Sequence, residues 1–156
     1  MRFRFAWAGK TKDASLRSLQ AEYAARISRL VPIQIAEVRD AGRGKRSLGA
    51  SAVRDEASLL EKVMSRSSLL VTLDEKGSEL TSPGFAAWLQ NADKSGAREI
   101  TFIVGGPDGL DETIRRRANL SLALGRMTWT HEMCRVLLLE QVYRSLCILR
   151  NIPYHK

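Results

Sequence analysis

Residues 98–106 read REITFIVGG, and they hold the apolar run that decides the fold. From Ile100 to Val104 the run is apolar apart from one threonine, and two glycines end it. A short apolar run bounded by glycine predicts a strand buried on both faces, as in a parallel sheet. Residues 67–77, SSLLVTLDEKG, repeat the pattern and predict a second buried strand, with Asp74 and Glu75 at its carboxyl end.

Predicted helices alternate with the predicted strands along the chain. Further strands are predicted at about residues 2–8, and through the alternating residues Ile33, Ile35 and Val38. The predicted helices are an amphipathic segment with Leu16, Leu19, Tyr23, Ile27 and Leu30, residues from about 50 to 65, TSPGFAAWLQNA with a serine cap, LDETIRRRAN, and residues from about 130 to 150. This alternation predicts one α/β domain over residues 1–156, with a parallel sheet covered by helices on both faces.

The charge of the chain favours a polyanionic partner. Twenty-five Lys and Arg against 17 Asp and Glu give a net charge of +8, and the sequence pI is near 10.0. Nucleic acid fits this balance, although a basic surface that only serves solubility fits it too. Arg43, Lys45 and Arg46 lie in a glycine-containing loop that either follows phosphates or is a solvated loop.

The chain has the composition of a cytoplasmic protein. No apolar run approaches the roughly 20 residues that span a bilayer, and the amino terminus reads as a strand rather than a signal peptide. We therefore expect no membrane among the partners. No cluster of side chains has the spacing of metal ligands, so we expect no metal.

The last predicted helix is apolar over most of its circumference. One face of a sheet does not cover such a helix, and the usual resolution is a second copy of the chain. The pattern therefore predicts a homodimer, with a wholly buried central helix as the competing interpretation. The apolar residues are Val136, Leu137, Leu138, Leu139, Val142, Leu146, Ile148 and Leu149.

Ligands of parallel sheets bind beyond the carboxyl ends of the strands, which directs attention to LDEKG and GGPDGL. The glycine loop Gly105–Gly109 lacks the spacing of a dinucleotide site, and Asp108 repels a pyrophosphate. The loop suits a ligand with positive charge, or it is only a tight turn. AGKT at residues 8–11 is no P-loop, because Arg4 stands where the pattern needs its first glycine.

Four segments of the sequence are informative together: LDEKGSELTSPGFAAWL, FIVGGPDGL, MTWTHEMCRVLLLEQVYRSLCIL and the terminal PYHK. Their order and spacing cover essentially the whole chain, and together they resemble the RlmH family of SPOUT-class methyltransferases. The resemblance implies a homodimer with a C-terminal trefoil knot that binds S-adenosylmethionine. It also implies methylation of N3 of a pseudouridine in 23S ribosomal RNA of the large ribosomal subunit, so that the nucleic-acid partner is RNA in the ribosome and not DNA.

The resemblance also assigns site residues. Those expected at the cofactor are Leu73, Gly105, Leu124, Gly125, Arg126, Met127, Thr128 and Trp129. Those expected on the target side are Arg144, Tyr154 and His155, with His131 and Arg135 lining the site. On residue pattern alone His131 and Arg135 are more often a local structural pair, and Arg144 pairs with Glu140 one turn earlier.

Two positions depart from the family pattern. Gly125-Arg126 stands where a serine is expected, and Thr130 stands where a proline commonly precedes the histidine. Two other functions stay open at this point. One is a SPOUT-class enzyme with another target, such as a transfer RNA ribose, and the other is a ribosome-binding module without catalysis.

Overall fold

The computed structural model describes residues 1–39, 50–65 and 68–154. The basic residues Arg43, Lys45 and Arg46, and the predicted site residue His155, lie outside these ranges. In chain order the elements are β1 (Arg2–Ala8), α1 (Ala14–Ser28), β2 (Ile33–Val38), α2 (Ala50–Val63), β3 (Leu69–Glu79), α3 (Ser82–Lys94), β4 (Glu99–Val104), α4 (Glu112–Arg117), β5 (Leu120–Ala123) and α5 (His131–Leu149).

The strands form one parallel sheet of five in the order β2-β1-β4-β3-β5. In its register, Phe5 of β1 lies opposite Ile35 on one side and Phe102 on the other. The predicted parallel α/β sheet is confirmed. The strand β5 was not predicted from the sequence, and it pairs with β3 at the edge of the sheet.

Helices cover both faces of the sheet, as the alternation of strands and helices predicts. On one face Phe3, Phe5 and Trp7 pack in a core shared with α1, α3 and α5. On the other face Ala6 and Ile103 pack in a smaller core shared with α2 and α4. The side chains of β1 alternate between these two cores because successive residues of a strand point to opposite faces.

Helix α5 lies between α1 and α3, and it also contacts β4. Every residue of α5 is buried or half-buried in the single chain, and Leu138, Leu139 and Val142 have no exposed surface. The neighbouring helices therefore cover much of the surface that the sequence assigned to a second chain. The apolar pattern of α5 agrees with a buried central helix, and the homodimer stays a prediction.

Local details differ from the sequence expectations at two helices. The cap of α3 is Thr81, whose hydroxyl accepts from the amide of Gly84 at 3.1 Å, whereas the sequence suggested a serine. Ser82 is instead the first helical residue, and its hydroxyl donates to Gln141 at 2.7 Å. Leu19, predicted on the apolar side of α1, is 41% exposed. Neither difference changes which helices pack on which face of the sheet.

Within the described ranges, the helices are all too short or too polar to cross a bilayer. The predicted trefoil knot concerns how the chain is threaded, which the strand order does not specify, and it stays a prediction.

Candidate active site

A cavity of about 570 Å³ opens beyond the carboxyl end of β4. This is the edge of a parallel sheet at which ligands are expected to bind. The walls of the cavity come from the end of the buried part of β3, the loop after β4, the segment after β5 and the first turn of α5. The described lining residues are Leu73–Glu75, Val104–Leu110, Arg115, Leu122, Leu124, Gly125, Met127–His131 and Cys134. The cavity volume is within the range of sites for small-molecule cofactors, about 300–1,000 Å³.

Two glycines shape the cavity wall. A Cβ on Gly105 would lie 2.7 Å from the carbonyl oxygen of Gly109, so only glycine lets this loop fold back on itself. Gly125 has φ of +117°, in the region that favours glycine. Any side chain would be strained at this φ, so glycine suits the backbone at the first departure from the expected pattern.

The segment after β5 brings most of the predicted cofactor residues to the cavity. Leu124, Gly125, Met127, Thr128 and Trp129 all line it, together with Leu73 and Gly105 on the opposite wall. Arg126 does not line the cavity. Its side chain is 92% exposed, and its Nε lies 3.4 Å from a carboxylate oxygen of Glu79.

The rim of the cavity exposes large apolar side chains. Met127 is 78% exposed and Trp129 is 43% exposed. Across the opening, the hydroxyl of Thr128 lies 3.5 Å from a carboxylate oxygen of Glu75. Exposed apolar surface beside a cavity is typical of a place where a ligand or a partner binds.

Helix α5 begins at the cavity. Thr130 caps it by accepting the amide of Met133 at 3.3 Å, so the second departure from the family pattern provides a helix cap. His131 follows and lines the cavity. Glu132 accepts the amides of Lys12 and Asp13, which lowers the pKa of its carboxyl and ties the start of α5 to the segment before α1.

Arg135 lies behind the cavity wall. Its side chain has no exposed surface, and its two terminal nitrogens donate to the hydroxyl of Thr11 at 2.9 Å and to the carbonyl of Ala8 at 2.5 Å. The guanidinium also faces the ring of Trp7. In this arrangement Arg135 braces the start of α5 and does not line the cavity.

The other predicted target-side residues form a separate cluster near the end of α5. Arg144 pairs with Glu140 at 2.6 Å, and its guanidinium lies 4.9 Å from the centre of the Tyr154 ring. The hydroxyl of Tyr154 lies 3.2 Å from both the hydroxyl of Tyr23 and a carboxylate oxygen of Glu140. The ring of Tyr143 packs edge-on against Tyr154. The pairing of Arg144 with Glu140, expected from spacing, is present.

Burial raises the pKa of the Tyr154 phenol, and the hydrogen bond with Tyr23 and the charge of Glu140 act in the same direction. A phenol with a raised pKa stays protonated at neutral pH. In this arrangement the phenol of Tyr154 is therefore a hydrogen-bond donor at neutral pH.

The two sets of predicted residues are far apart within one chain. His131 and Arg144 are on the same helix, more than three turns apart, which is about 20 Å at about 1.5 Å per residue. The structure thus brings the cofactor residues and His131 together at the cavity. It places Arg144 and Tyr154 together elsewhere.

Arg115 and Cys134 also line the cavity, and neither was singled out from the sequence. Arg115 is one of three arginines in the last turn of α4, within the segment LDETIRRRAN that the sequence predicts as a helix. The position of Arg115 soon after the glycine loop could have indicated its place at the cavity. A short helix that follows this loop must turn one side towards the ends of the strands. Within the described part of the chain, no three His, Cys, Asp or Glu side chains gather in a way that holds a metal ion.

A parallel sheet with a cavity at its strand ends and a glycine loop in the wall defines a cofactor-binding α/β protein. Residues 1–155 match the family described as predicted SPOUT methyltransferase. The chain belongs to this family of methyltransferases.

Curated relatives extend the comparison to the whole chain. A protein of Geobacter sulfurreducens named "Ribosomal RNA large subunit methyltransferase H" is 43% identical, and the match covers 99% of both chains. Proteins of the same name from Pelobacter propionicus and Geobacter metallireducens are 41% and 42% identical, again over 99% of each chain. The resemblance read from the sequence is confirmed.

Proposed function

We propose that this chain transfers a methyl group from S-adenosylmethionine to N3 of a pseudouridine in 23S ribosomal RNA of the large subunit. The observation that carries the proposal is the cavity at the strand ends, lined by Leu73, Gly105 and the segment 124–129 except Arg126. Full-length relatives named for methylation of large-subunit ribosomal RNA support the substrate. The net charge of +8 suits an RNA partner in the cytoplasm.

The residues of the cavity fit an adenosyl cofactor. Leu73, Leu124 and Met127 offer apolar surface for the faces of an adenine ring. The absence of a side chain at Gly105 lets the loop pack against Gly109, which keeps this wall of the cavity in place. When bound, the cofactor supplies a methyl group on a positively charged sulfur, which is an electrophile.

For this reaction the protein must align the cofactor with the target base, exclude water and assist the removal of one proton. The pseudouridine N3 must lose its proton to become a nucleophile, and a nearby base or cation favours that loss. Arg144 is a cation, so it stabilises the deprotonated base or holds a phosphate. His155 or Tyr154 assists removal of the proton, and the raised pKa of the Tyr154 phenol favours His155.

The separation of about 20 Å between the two ends of α5 bears on the assembly. Within one chain the cluster at Arg144 and Tyr154 does not reach the cavity. A homodimer in which the tail of one subunit meets the cavity of the other resolves this separation. The exposed Met127 and Trp129 at the cavity rim give the second subunit an apolar surface to cover. The family's trefoil knot belongs to the same proposal.

Mapping the methylated nucleotide tests the substrate. Ribosomal subunits and naked ribosomal RNA are incubated with labelled cofactor, and the modified position is located by digestion and mass spectrometry. Label on a pseudouridine base of 23S RNA is expected. Label on a transfer RNA ribose would identify a different SPOUT-class target, and calorimetry that detects no cofactor binding would point to a ribosome-binding module.

Subunit mixing tests the shared site. One subunit carries Gly105→Ala, whose Cβ distorts the glycine loop of the cavity wall, and the other lacks residues 151–156. Each homodimer is expected to be inactive, whereas the heterodimer retains one intact cavity facing one intact tail. No recovery of methylation on mixing would contradict a site shared between subunits, and light scattering that shows a monomer at micromolar concentration would contradict the dimer.

A further inference from the structure

Acidic side chains outnumber basic ones on the cavity wall. Asp74, Glu75 and Asp108 are acidic, and Arg115 is the only Lys or Arg among the described residues that line the cavity. S-adenosylmethionine carries positive charge on its sulfonium and its amino group, and negative charge only on its carboxylate. The cavity therefore offers one fixed cation for the one anionic group of the proposed cofactor.

Contacts on two sides hold Arg115 in place. Its Nε lies 3.0 Å from a carboxylate oxygen of Asp74, a residue whose side chain is 8% exposed. The other oxygen of Asp74 accepts the amide of Lys76 at 3.0 Å, so the carboxylate is itself fixed. A terminal nitrogen of the guanidinium lies near Gly109, 3.6 Å from the position that a Cβ would take on that glycine. The guanidinium therefore lies between the end of β3 and the glycine loop.

This orientation leaves part of the guanidinium for a ligand. Asp74 is the one acid within ion-pair distance of Arg115 among the residues that the structure describes, and it meets the Nε edge. The terminal nitrogens form the fork that binds a carboxylate through two parallel hydrogen bonds. The side chain is 38% exposed, which leaves it open to a ligand that enters the cavity.

We propose that Arg115 binds the carboxylate at the amino-acid end of S-adenosylmethionine and that Asp74 is the positioning residue that aims it. This inference rests on the proposed cofactor, and it adds a specificity-determining residue to that site. Arg115 distinguishes ligands that carry the amino-acid carboxylate from those that lack it, whatever the charge on sulfur.

Four ligands separate this role from a general effect on the cavity. S-adenosylmethionine and S-adenosylhomocysteine carry the carboxylate, whereas decarboxylated S-adenosylmethionine and methylthioadenosine do not. Calorimetry measures the dissociation constant of each ligand for the full-length protein and for Arg115→Gln. We expect Arg115→Gln to weaken the first two by about 10- to 100-fold, as befits a lost charged contact, and the last two by less than about twofold.

Neighbouring positions supply the controls. Arg116 lies on the same helix, its side chain is 79% exposed, and it pairs with Glu112. Arg116→Gln is therefore expected to leave all four dissociation constants unchanged. Arg115→Lys keeps the charge and recovers part of the lost affinity. Asp74→Asn is expected to weaken S-adenosylhomocysteine but not methylthioadenosine, since both have a neutral sulfur and they differ at the amino-acid end.

The outcomes are distinct. An equal loss for all four ligands would show that Arg115 only shapes the wall, and unchanged binding of all four would show that it has no role; either result overturns the proposal. The proposal is also overturned if Arg115→Gln weakens RNA binding alone, because the partner would then be a phosphate. If the unaltered protein binds none of the four ligands, the proposed cofactor itself is wrong. Thermal unfolding of each variant establishes that the fold is retained.

Discussion

The guanidinium of Arg135 lies 5.4 Å from the centre of the Trp7 ring, and neither side chain has any exposed surface. Trp7 belongs to β1 and Arg135 to α5, so this contact joins the first strand to the last helix. Hydrogen bonds from Arg135 to Thr11 and to the carbonyl of Ala8 extend the same junction. The contact lies in the interior of the protein. In this arrangement Arg135 affects the cavity by holding the start of α5 in place.

We predict that Arg135→Ala lowers the free energy of unfolding by about 3 kcal/mol, because two charged hydrogen bonds are lost and a space opens in the core. Chemical denaturation measures this change. Arg135→Lys is expected to restore less than half of the loss, since an ammonium does not reproduce the planar fork. A variant with unchanged stability and abolished methylation would contradict the bracing role and return Arg135 to the catalytic residues.

Gly125 and Gly96 allow a matched test of the cavity wall. Both have positive φ, +117° and +84°, and a Cβ on either meets nothing within 4 Å. Alanine at each position is therefore expected to cost about 1 kcal/mol of stability through backbone strain alone. Only Gly125 lines the cavity. Gly125→Ala is expected to weaken S-adenosylmethionine at least fivefold in calorimetry, and Gly96→Ala to leave it unchanged; equal affinities would argue against a cofactor role for this segment.

Tyr154→Phe tests whether the phenol takes a proton. The ring contact with Arg144 is kept, while the hydrogen bonds to Tyr23 and Glu140 are lost. Because burial raises the pKa of Tyr154, we expect methylation to fall by less than about tenfold and its pH profile to keep its shape. Tyr143→Phe is the control on the neighbouring ring. Complete loss of methylation in Tyr154→Phe would identify the phenol as an acid–base group.

Glu132 is expected to make the free energy of unfolding depend on pH. Its backbone hydrogen bonds with Lys12 and Asp13 lower the pKa of the carboxyl in the folded chain. The stabilisation is therefore present above the unfolded value, about 4.3, and is lost as the pH falls through the lower folded value. We expect Glu132→Gln to be about 1 kcal/mol less stable than the parent at pH 7 and to approach the parent as the pH falls through the lowered pKa of the folded chain. A difference that does not change with pH would exclude this linkage.

Strand and helix order was predictable from residue pattern because the buried runs are long. The strands β3 and β4 carry apolar runs without a charge, and glycines or acids mark where they end. The ends of these two runs also predict where the cavity lies. The edge strand β5 escaped prediction since it has only four residues, and its partner β3 lies some fifty residues earlier in the chain. No local pattern identifies a pairing of that kind.

The candidate site was predictable in part, through the family resemblance. Residues assigned to the cofactor are mostly in one continuous segment, so the backbone carries them to the cavity together. Arg126 is the exception, because it lies at the outside of that segment and its side chain turns to solvent. The burial of Arg135 and the docking of Tyr154 onto α1 depend on contacts between the first 30 and the last 25 residues. Spacing along the sequence does not encode such contacts.

These contacts have a consequence for synthesis of the protein. The segment from Ala8 to Leu30 is tied to α5 at both ends, by Arg135 at the start and by Arg150, which donates to the carbonyl of Leu30 at 2.5 Å, near the finish. Its partners are made more than 100 residues later, so the first helix leaves the ribosome long before the last one exists. Closure of this large loop is slow for entropic reasons. The native α1 therefore becomes resistant to proteases only after α5 has been released, and a chain stopped before residue 131 should remain open to cleavage at α1.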